Sequence, residues 1–213
     1  MDNKVEKITT IDLIRHGEPQ GGEMIRGSVD HALSTEGWCQ MKASVGDHHP
    51  WQWVVSSPMA RCYHFARWVA ERWALPLTIE PDLREMGFGE WEGLRKTEMT
   101  VQQRQDFRNF WLNPLENAPP KGTTMTALKN RVIPVVERLM KERASSHGLI
   151  VAHGAVNRVI IGHMLDMPLS HLFRLEIPYA AMSRLSRDDA RKEPRWSLHF
   201  HNGVLCCNPF GPP

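Results

Sequence analysis

Two short apolar runs in this chain each end in a histidine followed by a glycine, and that repeated ending restricts the fold more than any other feature. Thr9 to Ile14 alternates β-branched and apolar residues, which predicts a strand, and Arg15-His16-Gly17-Glu18-Pro19 breaks it. His147 to Ala152 predicts a buried strand that ends in His153-Gly154 and runs on into a helix over Val156 to Leu165. Buried strands joined to helices in this way point to an α/β sheet, whose ligands bind at the carboxyl ends of the strands. Arginine at such an end offers a planar fork for phosphate oxygens. Histidine there offers a nitrogen that is largely neutral near pH 7 and can act as a nucleophile. Taken singly, each ending also fits a purely structural role: an Arg-His pair capping a strand, or a satisfied core histidine.

The interval between the two endings holds further members of an anion site. After the Gly-rich loop Gln20 to Val29, which carries Arg26, Ser34 or Thr35 caps a helix reaching about Val45. Trp51 to Ser56 predicts a second strand, and Ser57 or Pro58 opens a helix with Cys62, Phe65, Ala66, Val69 and Ala70 at helical spacing. Arg61 then lies in the first turn, where anions are favoured. Leu77 to Glu80 is a third strand, followed by Pro81 to Gly93, an irregular loop of glycines, aromatics and carboxylates. Glu85, Glu90 and Glu92 are its candidates for acid-base work, and each is also readable as a surface charge. Thr97 to Trp111 predicts a helix, and Asn113 to Gly122 a proline-rich linker, so residues 84–122 read as an insertion over a sheet edge. Thr126 to Arg143 predicts a long helix, kinked at Pro134, with Leu128, Val132, Val135, Val136 and Leu139 inward and basic residues late, as the macrodipole favours.

Length and charge narrow the class. A chain of 213 residues with 41% hydrophobic content fits one domain over 1–213 with a sizeable core. A formal charge of +2 gives no argument for nucleic acid or an anionic membrane surface. Met1 to Lys7 is polar rather than a signal peptide, and no run of about 18 apolar residues predicts a membrane span. Cys39, Cys62, Cys206 and Cys207 form no CxxC pair, so reduced thiols and a cytoplasmic location are expected. Met182 to Ser186 and Trp196 to Phe200 predict a hairpin with His199 and His201 on one face. With Cys206 and Cys207 following they raise a zinc site, but the spacing matches no zinc pattern and none is expected. Asp47-His48-His49-Pro50 reads as a solvated turn.

Four ordered motifs, Arg15-His16-Gly17, Ser57-Pro58-x-x-Arg61, Leu83-Arg84-Glu85-x-x-Phe88-Gly89-x-Trp91-Glu92-Gly93 and His153-Gly154, resemble those of the histidine phosphatase superfamily, with its phosphoglycerate-mutase-like fold. The likeness covers about residues 8 to 185. It implies a three-layer α/β/α sandwich around a mostly parallel sheet, with a small helical and loop insertion over the site. It also implies roles: His16 as phosphoryl acceptor, Arg15, Arg61 and His153 on the non-bridging oxygens, and Glu85 as general acid and then base. Arg26 and Gly154 join the substrate-binding set. Two arginines and an imidazolium can carry the transferring charge, so no metal and no cofactor are implied.

Within the superfamily, Glu18 to Gly22, Arg26-Gly27, Asp30, Leu33-Ser34, Gly37-Trp38-x-Gln40-Met41 and Pro168 to Pro178 resemble bacterial α-ribazole phosphatases. That likeness implies hydrolysis of α-ribazole 5′-phosphate in cobalamin assembly. Phe88 and Trp91 would either stack on a flat base or anchor their loop, and Arg26 would reach a ribose hydroxyl or phosphate oxygen. Two departures, Gly122-Thr123-Thr124 for Gly-Glu-Ser and Ala155 for a second glycine, bear on pocket shape. The partner expected is a small phosphate ester, with neither nucleic acid nor membrane, and a homodimer is compatible. Other readings are a broad sugar-phosphate phosphatase, a phosphoglycerate mutase, for which the chain lacks the longer insertions, and a protein-phosphohistidine phosphatase, which would leave its site open. An inactive phospho-ligand binder would have no use for a proton donor.

Overall fold

A computed structural model of the protein describes residues 7–47 and 49–203. His48, Cys206 and Cys207 lie outside the described residues. In chain order the elements are β1 (Ile8–Arg15), α1 (Thr35–Val45), β2 (Trp53–Ser56), α2 (Ala60–Trp73), β3 (Leu77–Ile79), α3 (Val101–Leu112), α4 (Met125–Glu142), β4 (His147–Ala152), α5 (Gly154–Met164), β5 (Met182–Asp188) and β6 (Trp196–Gly203). They form an α/β fold on one mixed six-stranded sheet of order β3-β2-β4-β1-β5-β6. β1 to β4 run parallel, and β5 and β6 add an antiparallel edge.

The apolar residues of the central strands divide between two faces, and each face needs a helical cover. Ile11, Leu13, Val55 and Ile150 cluster with Leu128, Val132 and Val136 of α4 and Val156 and Ile160 of α5. Ile14, Val54, Leu149 and Val151 cluster instead with Met41 and Val45 of α1 and Phe65 and Val69 of α2. The inward residues read from the long helix are all buried, and α4 runs through Pro134 as one helix. Between the layers Asp12 is fully buried, taking two hydrogen bonds from Arg184 at 2.8 and 2.9 Å and one from the Trp51 indole at 2.7 Å.

Two helix starts and the facing of one strand differ from expectation. α2 starts at Ala60 rather than Ser57 or Pro58, because the Ala60 N–H is taken by Asp30 Oδ1 at 2.8 Å while the Ser57 hydroxyl turns inward. α3 starts at Val101 rather than Thr97, fixed by a capping box between Thr100 and Gln103. In the hairpin a register shift between Arg184 and Leu185 turns His199 and His201 to opposite sides. His199 meets Ser186 and His201 meets Ser183, so the shared face read from the sequence is not present.

Residues 84–122 fold over the carboxyl edge of the sheet as loops and α3. Trp91 is buried against Phe107 and Phe110, with ring centroids 5.5 and 5.9 Å away. Glu92 Oε1 accepts from the Phe88 and Ser28 N–H groups at 2.8 and 2.9 Å, tying this segment to the loop after β1. At Gly89 φ is +53°, and a Cβ would collide with the Pro120 carbonyl, so this turn requires glycine. No helix among the described residues is long and apolar enough to cross a membrane.

Candidate active site

β1 and β4 are neighbours, with Arg15 opposite Ala152, so their two endings emerge side by side. The His16 and His153 rings meet edge to face with centroids 5.2 Å apart. Gly17 leaves no room for a side chain against the Gly37 backbone, and this close approach brings the first turn of α1 up to the site. His16 is 5% exposed. Its Nδ1 lies 2.8 Å from the Gly17 carbonyl oxygen, which can only accept, so Nδ1 carries the proton and Nε2 keeps a free lone pair. Burial, then Arg15 and Arg61, hold the ring well below its ordinary pKa. A neutral imidazole with an open Nε2 therefore stands at the sheet edge at pH 7.

His153 is fully buried, and its Nε2 lies 2.7 Å from the Ser57 hydroxyl. Burial, followed by Arg61 and His16, also pushes it well below the ordinary histidine value. The imidazolium expected here is thus corrected: without a ligand His153 is neutral, because two cations and a low-dielectric wall disfavour a third charge.

The arginines are oriented by backbone carbonyls. Arg61 donates to Val29 and Gly27 at 2.8 and 3.0 Å, and Arg15 to Ile177 at 2.6 Å. Arg15 also stands 4.3 Å above the Tyr179 ring. The Nε of each is buried without a partner among the described residues, a donor that a bound anion would satisfy. Arg26 also faces the pocket; a terminal nitrogen donates to the Gln20 carbonyl at 2.8 Å and also to that of Gly22, while its Nε, like those of Arg15 and Arg61, is buried without a partner among the described residues. Of the three carboxylates, Glu85 alone lines the pocket. Its oxygens accept from the Met86 and Ala155 N–H groups at 3.0 and 3.3 Å. Glu90 pairs with Lys121 at 2.8 Å on the surface, and Glu92 braces the insertion.

These groups converge on a pocket of about 160 Å³. Phe88 is on its wall, whereas Trp91 is an internal anchor, which removes Trp91 from the stacking role. Arg158, Tyr179, Trp111 and Phe173 line the pocket without having been singled out from the sequence. Arg158 was detectable in principle, since it follows Gly154 by one helical turn and so shares its face. Among the described residues no cluster of three or more His, Cys, Asp or Glu is placed to hold a metal ion.

The family model described as histidine phosphatase superfamily (branch 1) matches residues 11–199. The chain belongs to this superfamily. Among its relatives, this histidine phosphatase superfamily member is 29% identical over 178 residues to an adenosylcobalamin/alpha-ribazole phosphatase of Salmonella typhimurium, covering 81% of this chain and 88% of the relative. It is also 29% identical over 180 residues to a bifunctional protein of Mycobacterium tuberculosis, covering 82% of this chain and 49% of the relative. The chain thus spans about half the length of that relative. Among solved structures, a mycobacterial glucosyl-3-phosphoglycerate phosphatase superposes with a TM-score of 0.81 at 25% identity, covering 93% of this chain and 100% of the other.

Proposed function

We propose that this protein hydrolyses phosphomonoesters through a phosphohistidine at His16. The observation that carries the reading is the neutral, Nε2-free imidazole of His16 beside the unsatisfied guanidinium donors of Arg15 and Arg61. The His16 Nε2 lone pair forms the N–P bond as the ester P–O bond breaks. Arg15, Arg61 and His153 hold the equatorial oxygens. Glu85 gives its proton to the leaving oxygen, then takes one from the water that cleaves the N–P bond, and His16 recovers its lone pair. In the phosphoenzyme Nδ1–H stays on the Gly17 carbonyl, which stabilises the ring's positive charge.

Rapid quench with radiolabelled substrate should trap an acid-labile, base-stable adduct on the peptide containing His16. Full turnover by His16→Ala would overturn the reading. For the ester itself, relatives named for α-ribazole and the aromatic wall at Phe88 support α-ribazole 5′-phosphate. The comparison is kcat/KM for that ester beside 3-phosphoglycerate, fructose 2,6-bisphosphate and an aryl phosphate. A tenfold preference, about 1.4 kcal/mol of differential transition-state binding, supports the assignment. A sugar phosphate winning by that margin removes it. Free thiols at Cys39 and Cys62 support a cytoplasmic setting.

A further inference from the structure

Four arginines and one carboxylate, Glu85, line the pocket. The phosphatase reading uses Arg15 and Arg61, and both terminal nitrogens of Arg26 are taken by its own loop, which leaves only its Nε free. Arg158 is left over. It is 7% exposed, and its Nε donates to the Leu175 carbonyl at 2.9 Å. Neither terminal nitrogen has a hydrogen-bond partner among the described residues, although Leu175 and two aromatic rings fix the group. Its Cζ lies 4.9 Å from the Phe173 ring centre and 5.4 Å from that of Trp111. A Cβ on Gly154 would stand 3.2 Å from Arg158 Nη1 and 3.5 Å from Arg15 Nε, so the two guanidinium groups flank one open point. Two cations held this close in a pocket walled by aromatics repel one another until an anion is placed against them. Burial, then the repulsion from Arg15, brings the Arg158 pKa down to about 10, so the group is still charged at neutral pH.

We infer that Arg158 is a second anion subsite, which takes a carboxylate on the leaving group of an ester held by Arg15 and Arg61. Nη1 and Nη2 present the fork geometry that a carboxylate accepts bidentately. The Leu175 carbonyl and the neighbouring Phe173 and Trp111 rings restrain that fork, so little rotamer entropy is lost on binding. The inference rests on the phosphatase reading but not on any one ester.

The test uses matched pairs: 3-phosphoglycerate beside glycerol 3-phosphate, and 3- and 4-carboxyphenyl phosphate beside their carboxamide isosteres. In the wild-type protein kcat/KM should favour an acidic member by at least about tenfold, the scale of a good charge-assisted pair. Arg158→Met should bring that ratio close to one, and Arg158→Lys should restore part of it. A wild-type ratio near one for every pair overturns the subsite, and so does a high ratio that survives Arg158→Met. Should Arg158→Met fail to fold, Arg158→Gln carries the same comparison. If the wild type hydrolyses no member of any pair, the phosphatase reading fails. Calorimetric binding of the same compounds then still decides the role of Arg158: equal affinity for acid and neutral isostere overturns it.

Discussion

In the proposed reaction the attacking histidine has to be deprotonated, and at His16 burial and two neighbouring cations favour that state. The same environment makes stability depend on pH. Unfolded histidines take up a proton near pH 6.5, whereas folded His16 and His153 resist it down to well below that value. The unfolded chain therefore binds more protons below about pH 6.5, and stability should fall as pH drops, by up to about 1.4 kcal/mol per pH unit for each imidazole. Denaturant titrations between pH 7 and 5 should give a shallower fall in His153→Gln, and an unchanged slope would remove the buried neutral histidine as its cause. At the same scale, Glu85→Gln should depress kcat on alkyl phosphates roughly a hundredfold more than on aryl phosphates, which leave with little protonation. Equal losses on both would take Glu85 out of the proton-transfer role. Arg15, His16, Arg61, Glu85 and His153 could be read because each follows a strand end or sits in a recognisable motif. Tyr179 could not, since a tyrosine after a proline looks ordinary until the fold carries it to the pocket, whereas Arg158 is legible only through its place one helical turn after Gly154. The low pKa of His153 is not legible in the sequence for a related reason: it depends on burial, which no motif states.

Strands and helices are largely legible from periodicity, and two of the departures come from long-range partners. Asp30 caps α2 from 30 residues away, a contact no local pattern at Ser57-Pro58 announces. The bulge opposite Leu185 reversed the side of one histidine, because alternation along a strand holds only where pairing is regular. In the insertion, two glycines with positive φ separate backbone strain from crowding. At Gly93 φ is +80° with open space beside it, while at Gly89 φ is +53° and the Pro120 carbonyl fills that space. Gly93→Ala should cost about 1–2 kcal/mol, the left-handed penalty alone. Gly89→Ala should cost more and should also lower activity, since the displaced segment carries Phe88 and adjoins Glu85. Urea denaturation of the two variants makes the comparison, and equal losses would show that the Pro120 contact is slack.

On the scale of the molecule, the site is an outcome of strand register. The His16 N–H is bonded to the Ala152 carbonyl at 3.0 Å, so the last rung between β1 and β4 stands directly beneath both imidazoles. Interstrand spacing, about 4.8 Å in any sheet, thus serves as the ruler that spaces the two rings. A slip of one residue in either strand would turn its histidine to the opposite face, and no intermediate register brings the rings within reach of one phosphoryl group. Under the proposed function, turnover is then an all-or-none reporter of the central pairing. During equilibrium unfolding in urea, turnover of an aryl phosphate should vanish along the same curve as far-ultraviolet circular dichroism, with coincident midpoints. Activity that disappears well before the sheet melts would mean that the insertion, rather than the register of two parallel strands, is what sets the working geometry.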